Sequence, residues 1–147
     1  MTELRSSGTS TTVPASRRRR ARLFAVAGAV LAALLIWIIA VPVAGVDLQA
    51  TTGPGSTELE PVPVVAVIAM SLLAPLAGWG LLALLERFSA RGRTIWTVIA
   101  CVVLLVSYGG PLLGAGIPGS SRLTLALMHT AVGLIVIPAF ARSSHRR

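Results

Sequence analysis

The chain contains no lysine. Of its 147 residues only five are acidic, one is cysteine, and charged side chains make up 12% of the total. The lone thiol, Cys101, excludes an intrachain disulfide and a cysteine-based metal site, and from its place inside an apolar run it is expected to be inert. No Gly-rich phosphate loop, paired intramembrane carboxylate, Cys/His cluster or nucleophile motif of known spacing is present. The chain is therefore expected to have no enzymatic activity, and no catalytic, cofactor-binding or metal-ligating residue is assigned.

What the chain has is apolar length. Hydrophobic residues account for 54% of it and the mean hydropathy is +0.82, values that belong to an integral membrane protein. All thirteen basic residues are arginine, and they raise the net charge to +8. They flank apolar runs instead of covering a folded polar face. The expected charged partner is thus the anionic headgroup layer of a bilayer, and not nucleic acid.

Residues 1–21 are rich in Ser, Thr and Gly and end in arginines, which predicts a disordered basic tail. The domain that follows, 22–142, holds apolar spans at about 23–43, 61–85, 94–113 and 122–141, each measured against the ~20 residues needed to cross ~30 Å of hydrocarbon. A short basic tail, 143–147, completes the chain. A cleaved export signal would also begin with arginines before an apolar run. Here the run is longer than a signal core, Pro42 falls just before the plausible cleavage residue Ala44, and three further spans follow.

Within the first span Ala25, Ala29 and Ala33 recur every fourth residue, a small-residue stripe expected to face another helix. The stretch 44–60 reads as a loop with Asp47, Glu58 and Glu60 and no arginine. Pro61 and Pro63 then open the second span, since a first helical turn does not need its amides. Pro75 should kink that span, with Ser71 expected to help satisfy the freed carbonyl. Ser107, Tyr108, Gly109, Gly110 and Pro111 interrupt the third span, so that 109–118 is either a bent continuation or a re-entrant segment. Ser120 or Ser121 is expected to cap the fourth.

The turn between spans two and three holds Glu86, Arg87, Arg91 and Arg93 and sets the orientation. Six arginines precede the first span, three lie in this turn and three near the C-terminus, against Arg122 alone on the other side. Arginine-rich short loops stay cytoplasmic, so both termini are expected in the cytoplasm of a plasma-membrane protein. Trp79, Phe88, Trp96 and Phe140 fall near the cytoplasmic ends, where interfacial aromatics gather.

Two groups carry candidate chemistry. Glu86 ends a helix at its negative pole and needs a partner, which predicts an interfacial ion pair with Arg87, Arg91 or Arg93, or with residues near Arg22 and Arg142. His129 is the ionisable side chain well inside a span. Its neighbours Ala126 and Gly133 allow close helix packing, and its depth matches Ser107 and Tyr108, which predicts an interhelical polar cluster of His129, Ser107 and Tyr108, with Ser71 as a further member.

The arginine-rich start, Gly45-Val46-Asp47, Ala77-Gly78-Trp79-Gly80 running to Glu86-Arg87, Arg93-Thr94-Ile95-Trp96-Thr97, and Met128-His129 resemble a family of small four-span actinobacterial membrane proteins whose domain has no known function. The resemblance covers nearly the whole apolar part and implies no activity. The expected fold is an all-α four-helix transmembrane bundle. Its expected role is structural, scaffold or accessory, binding another membrane protein or its own copies. A small-molecule or proton-coupled carrier using His129, and a redox or quinone-handling protein, are the alternatives; the first lacks an internal repeat, the second paired histidines.

Overall fold

The computed structural model describes residues 15–53 and 55–144. The disorder expected for the N-terminal tail falls outside the described residues up to position 14, as do the last three positions of the C-terminal tail. From Ala15 onward that expectation is corrected, because α1 (Ala15–Ile38) already includes Arg17 to Arg20. Arginine propagates a helix nearly as well as leucine, so the helix runs on past the apolar stretch.

At its other end α1 widens into a π-helical turn, Ile39–Val43. Pro42 has no amide to give, and the turn opens so that Ala44 N bonds Ile39 O at 2.9 Å. The remaining helices are α2 (Val64–Phe88), α3 (Gly92–Ser107), the short α4 (Gly109–Leu113) and α5 (Gly119–Ser143). Four stretches, Ser16–Val43, Val64–Phe88, Gly92–Leu113 and Gly119–Ser143, are long and apolar enough to cross a membrane. The fold is an all-α transmembrane bundle. α1 lies against α5 and α2, and α3 closes the ring against the same two helices. The interruption after Ser107 is a bend: Tyr108 keeps right-handed helical angles and leads straight into α4.

Ala25, Ala29 and Ala33 face inward as their spacing predicts, with Ala29 at 0% exposure. Around them the core divides along the membrane normal. Ala25, Val26, Ala29, Leu82, Trp96, Val136 and Phe140 fill the end near the arginines, and Ala33, Leu48, Val67, Leu125 and Met128 fill the other. This placement corrects the interfacial reading of the aromatics. Trp96 and Phe140 are buried in the bundle with ring centroids 5.5 Å apart, and Trp79 meets Phe140 edge-on at 6.5 Å. Phe88 alone of the four, at 76% exposure, points outward.

The stretch expected as a loop contains an antiparallel hairpin, β1 (Gln49–Thr51) with β2 (Leu59–Pro61). Val62 N continues the ladder onto Leu48 O at 2.8 Å. The backbone is thus committed to the sheet through Val62, and α2 starts at Val64, after Pro63, and not at Pro61. The opposite connection is tight. Gly92 packs against the last turns of α2 so closely that a Cβ there would stand 2.6 Å from Leu85 O.

Two substitutions follow from this packing. Ala29→Leu and Gly92→Ala should each lower stability by ~1–3 kcal/mol, since neither site has room for added atoms. Gly80→Ala, whose Cβ meets nothing within 4 Å, should be neutral or slightly stabilising. Thermal unfolding in detergent separates the two outcomes; equal loss at all three positions would show that the packing described here does not govern stability.

Candidate functional site

Glu86 lies in the last turn of α2, where the helix dipole places partial negative charge, so an unpaired carboxylate there is disfavoured. Its partner is Arg22 from α1, with Nη2 on Oε1 at 2.8 Å and side chains 8% and 21% exposed. Of the partners the sequence offered, the one near the start of the first span is used, and the pairing with Arg87, Arg91 or Arg93 is corrected. Arg87, in the last turn of α2, lies over the neighbouring Phe88 ring and Arg91, at the N-cap of α3, is exposed; it is α1 that packs beside Glu86. Arg22 also donates from Nε to Ser143 Oγ at 3.0 Å and from Nη2 to Ser143 O at 3.4 Å. Its guanidinium therefore lies between the C-terminal ends of α2 and α5, both negative poles, and offsets their charge together with that of Glu86.

Beneath this pair lies the aromatic group. Trp96 donates its indole N–H to Gly78 O at 2.7 Å, joining α3 to α2. The Ser143 and Ser144 hydroxyls both donate to Phe140 O, closing the end of α5.

The intramembrane polar cluster is arranged differently from the expectation. His129 Nδ1 donates to Leu125 O, 2.7 Å away on its own helix; a carbonyl accepts, so Nδ1 carries the hydrogen. Ser107 Oγ likewise turns back to Leu104 O at 2.6 Å. The hydrogen bond between helices is Tyr108 Oη to Thr130 Oγ1 at 2.6 Å. Thr130 donates its own proton to Ala126 O, so Tyr108 is the donor. The tyrosine ring lies 6.2 Å from the imidazole, a neighbour without a shared hydrogen bond. Ser71 bonds Val67 O and Ile68 O in α2. It does not serve the carbonyl freed by Pro75, because a serine hydroxyl reaches carbonyls one turn back more readily than its own. Gly133 is where α3 and α5 approach: a Cβ there would come 2.6 Å from Leu104 Cδ2.

At the hairpin end, Ser121 does not cap α5, whose N-cap position is Pro118. Its fully buried hydroxyl donates to Asp47 O and accepts from Gln49 N. Arg122 spends its guanidinium on three carbonyls, Ile117, Leu112 and Gly114. The sequence did not single out Thr130 or Ser143, and it offered Ser121 only as a helix cap. Nothing in their local pattern separates them from serines and threonines bonded within a helix; only the pairing of helices does. Among the described residues no group of three His, Cys, Asp or Glu side chains comes together as a metal cage.

A family model described as a family of unknown function, DUF6069, matches residues 13–146. The chain belongs to that family. No curated protein and no solved structure matches it. In this DUF6069 chain the segments that carry the resemblance meet in space. Gly78 and Trp79 join Trp96 through a hydrogen bond and a shared aromatic neighbour, and Glu86 joins the arginine-rich start of α1.

Removing one partner of the buried pair should be costly and removing both should not. Glu86→Ala is expected to lose ~3 kcal/mol by stranding Arg22, and Arg22→Met with Glu86→Leu to recover most of it. Arg87→Ala should stay within ~0.5 kcal/mol. In a second cycle, Tyr108→Phe and Thr130→Val should each cost ~0.6–1.7 kcal/mol, and the double substitution little more than either. Full additivity in unfolding measurements would mean the pair does not interact.

Proposed function

We propose that this multi-pass membrane protein is a structural or accessory subunit of a membrane assembly and not an enzyme, held in the plasma membrane with both termini cytoplasmic. The observation that supports this most directly is how its polar groups are used. Among the described residues every buried side-chain nitrogen or oxygen has a partner within the chain. A substrate site generally keeps a few convergent polar atoms for the ligand; here they are spent within the chain, on joining elements at Arg22, Ser143 and Ser121 and on carbonyls of their own helix at Ser71, Thr124 and Ser144. Outward-facing apolar side chains on every spanning helix then leave the protein to meet lipid, another membrane protein or its own copies. The arginine-only basic set suits a high-GC actinobacterial source.

A carrier built on His129 is the second reading, favoured by one observation. With Nδ1 occupied by Leu125 O, Nε2 is the ring atom that would meet a proton or a ligand.

The orientation rests on the arginine split. A reporter active only in the cytoplasm should be active after Arg147 and silent when inserted at Thr52; the reverse would overturn the topology. His129→Leu distinguishes the two functional readings. The accessory reading expects a protein that accumulates normally and restores whatever a deletion strain has lost, whereas the carrier reading expects normal accumulation with no restoration.

A further inference from the structure

The run Arg17 to Arg20 occupies four successive helical positions, so its side chains leave α1 at ~100° intervals and cover its whole circumference. Arg17, Arg19 and Arg20 are exposed and Arg18 is partly so. A docked protein would be met by one face of such a rod. A layer of charge surrounding the rod would be met by all of them.

Depth points the same way. Leu23 and Phe24, at 49% and 76% exposure, are outward-facing apolar side chains directly after the arginines. The rise from Arg17 to Arg22 is ~7.5 Å, close to the ~5–7 Å thickness of one headgroup layer. Arg87 in the last turn of α2, Arg91 and Arg93 at the start of α3, and Arg142 in the last turn of α5 bring the other helix ends to the same end of the bundle. The acid there, Glu86, is already taken by Arg22. The positive charge is therefore not neutralised within the described chain.

We infer that these helix ends form an arginine collar that binds the phosphates of anionic phospholipids, with the helical extension of α1 as its main contact. Guanidinium groups take phosphate oxygens in bidentate fashion, and the collar gathers such lipids around the bundle in preference to zwitterionic ones. The inference rests on the helices crossing a bilayer, and not on which side of it they begin.

The full-length protein, reconstituted in nanodiscs of phosphatidylglycerol and phosphatidylcholine in equal amounts and then extracted into mild detergent, provides the test, with bound lipid counted by mass spectrometry. Wild type should retain phosphatidylglycerol at least fivefold over phosphatidylcholine and release it as salt is raised from 0.1 to 1 M. Replacing Arg17, Arg18, Arg19 and Arg20 with Gln should abolish the preference, and replacing them with Lys should keep much of it, with Arg22 and Glu86 untouched in both. Equal retention of the two lipids by wild type, or a Gln variant that keeps the preference, overturns the inference. So does a Gln variant with unchanged lipid that loses a co-purifying acidic protein. If the Gln variant fails to accumulate, the salt response of wild type decides alone. A chain that washes out of membranes in carbonate would instead overturn the membrane reading itself.

Discussion

A guanidinium taken out of water tolerates little displacement, because its desolvation is offset only while its hydrogen bonds are made. Arg22 meets that condition by drawing on two helices at once: a carboxylate from α2, and a hydroxyl and a carbonyl from α5. The levels of α1, α2 and α5 along the membrane normal are set together at this one point. Below it, Ala25 and Ala29 present almost no side chain, so α1 can lie close to its neighbours while Trp96 and Phe140 fill the space beside it. The large aromatics and the small alanines are two halves of one packing solution.

The hairpin end is held by different means. There the backbone itself must be satisfied, since the chain leaves α1, forms a sheet and re-enters as α2 within a short distance. Ser121 and Arg122, adjacent on α5, meet that need. One ties the strand at Asp47 and Gln49, and the other ties the carbonyls at the end of α4 and in the turn after it. Arg122 thus stands apart from the other arginines in what it does as well as where it lies. It is spent on internal carbonyls, whereas Arg17, Arg19, Arg20, Arg87 and Arg91 at the opposite end are exposed.

The number of spanning helices and the inward face of α1 were legible in the sequence, because apolar run length and the four-residue spacing of Ala25, Ala29 and Ala33 are local properties. The need of Glu86 for a partner was legible as well, from its place at a helix C-terminus. Which arginine answers it was not, since that depends on α1 facing the inner side of α2. The same holds for Tyr108, whose need for a partner follows from its hydroxyl but whose partner Thr130 follows from the α3–α5 register. The hairpin escaped notice because three-residue strands among Gly, Pro and Thr carry too few alternations to stand out from a loop. The aromatics lie at the end the sequence assigned them, but which way they face was not legible: a tryptophan at the end of a span looks the same in sequence whether it faces lipid or a neighbouring helix.

The Arg22 network also has an order in time. Chains emerge from the ribosome N-terminus first, so Arg22 emerges before Glu86 and Ser143 do. Until then Arg22 can lie only at the water-facing margin, its long stem reaching up to the headgroups. Burial of its charge waits for α2, and its full set of hydrogen bonds waits for the last turn of α5. Among the described helices this contact is therefore the last to be completed in chain order. A nascent chain stalled before Ser143 would hold its helices in the bilayer without the contact that sets their heights relative to one another.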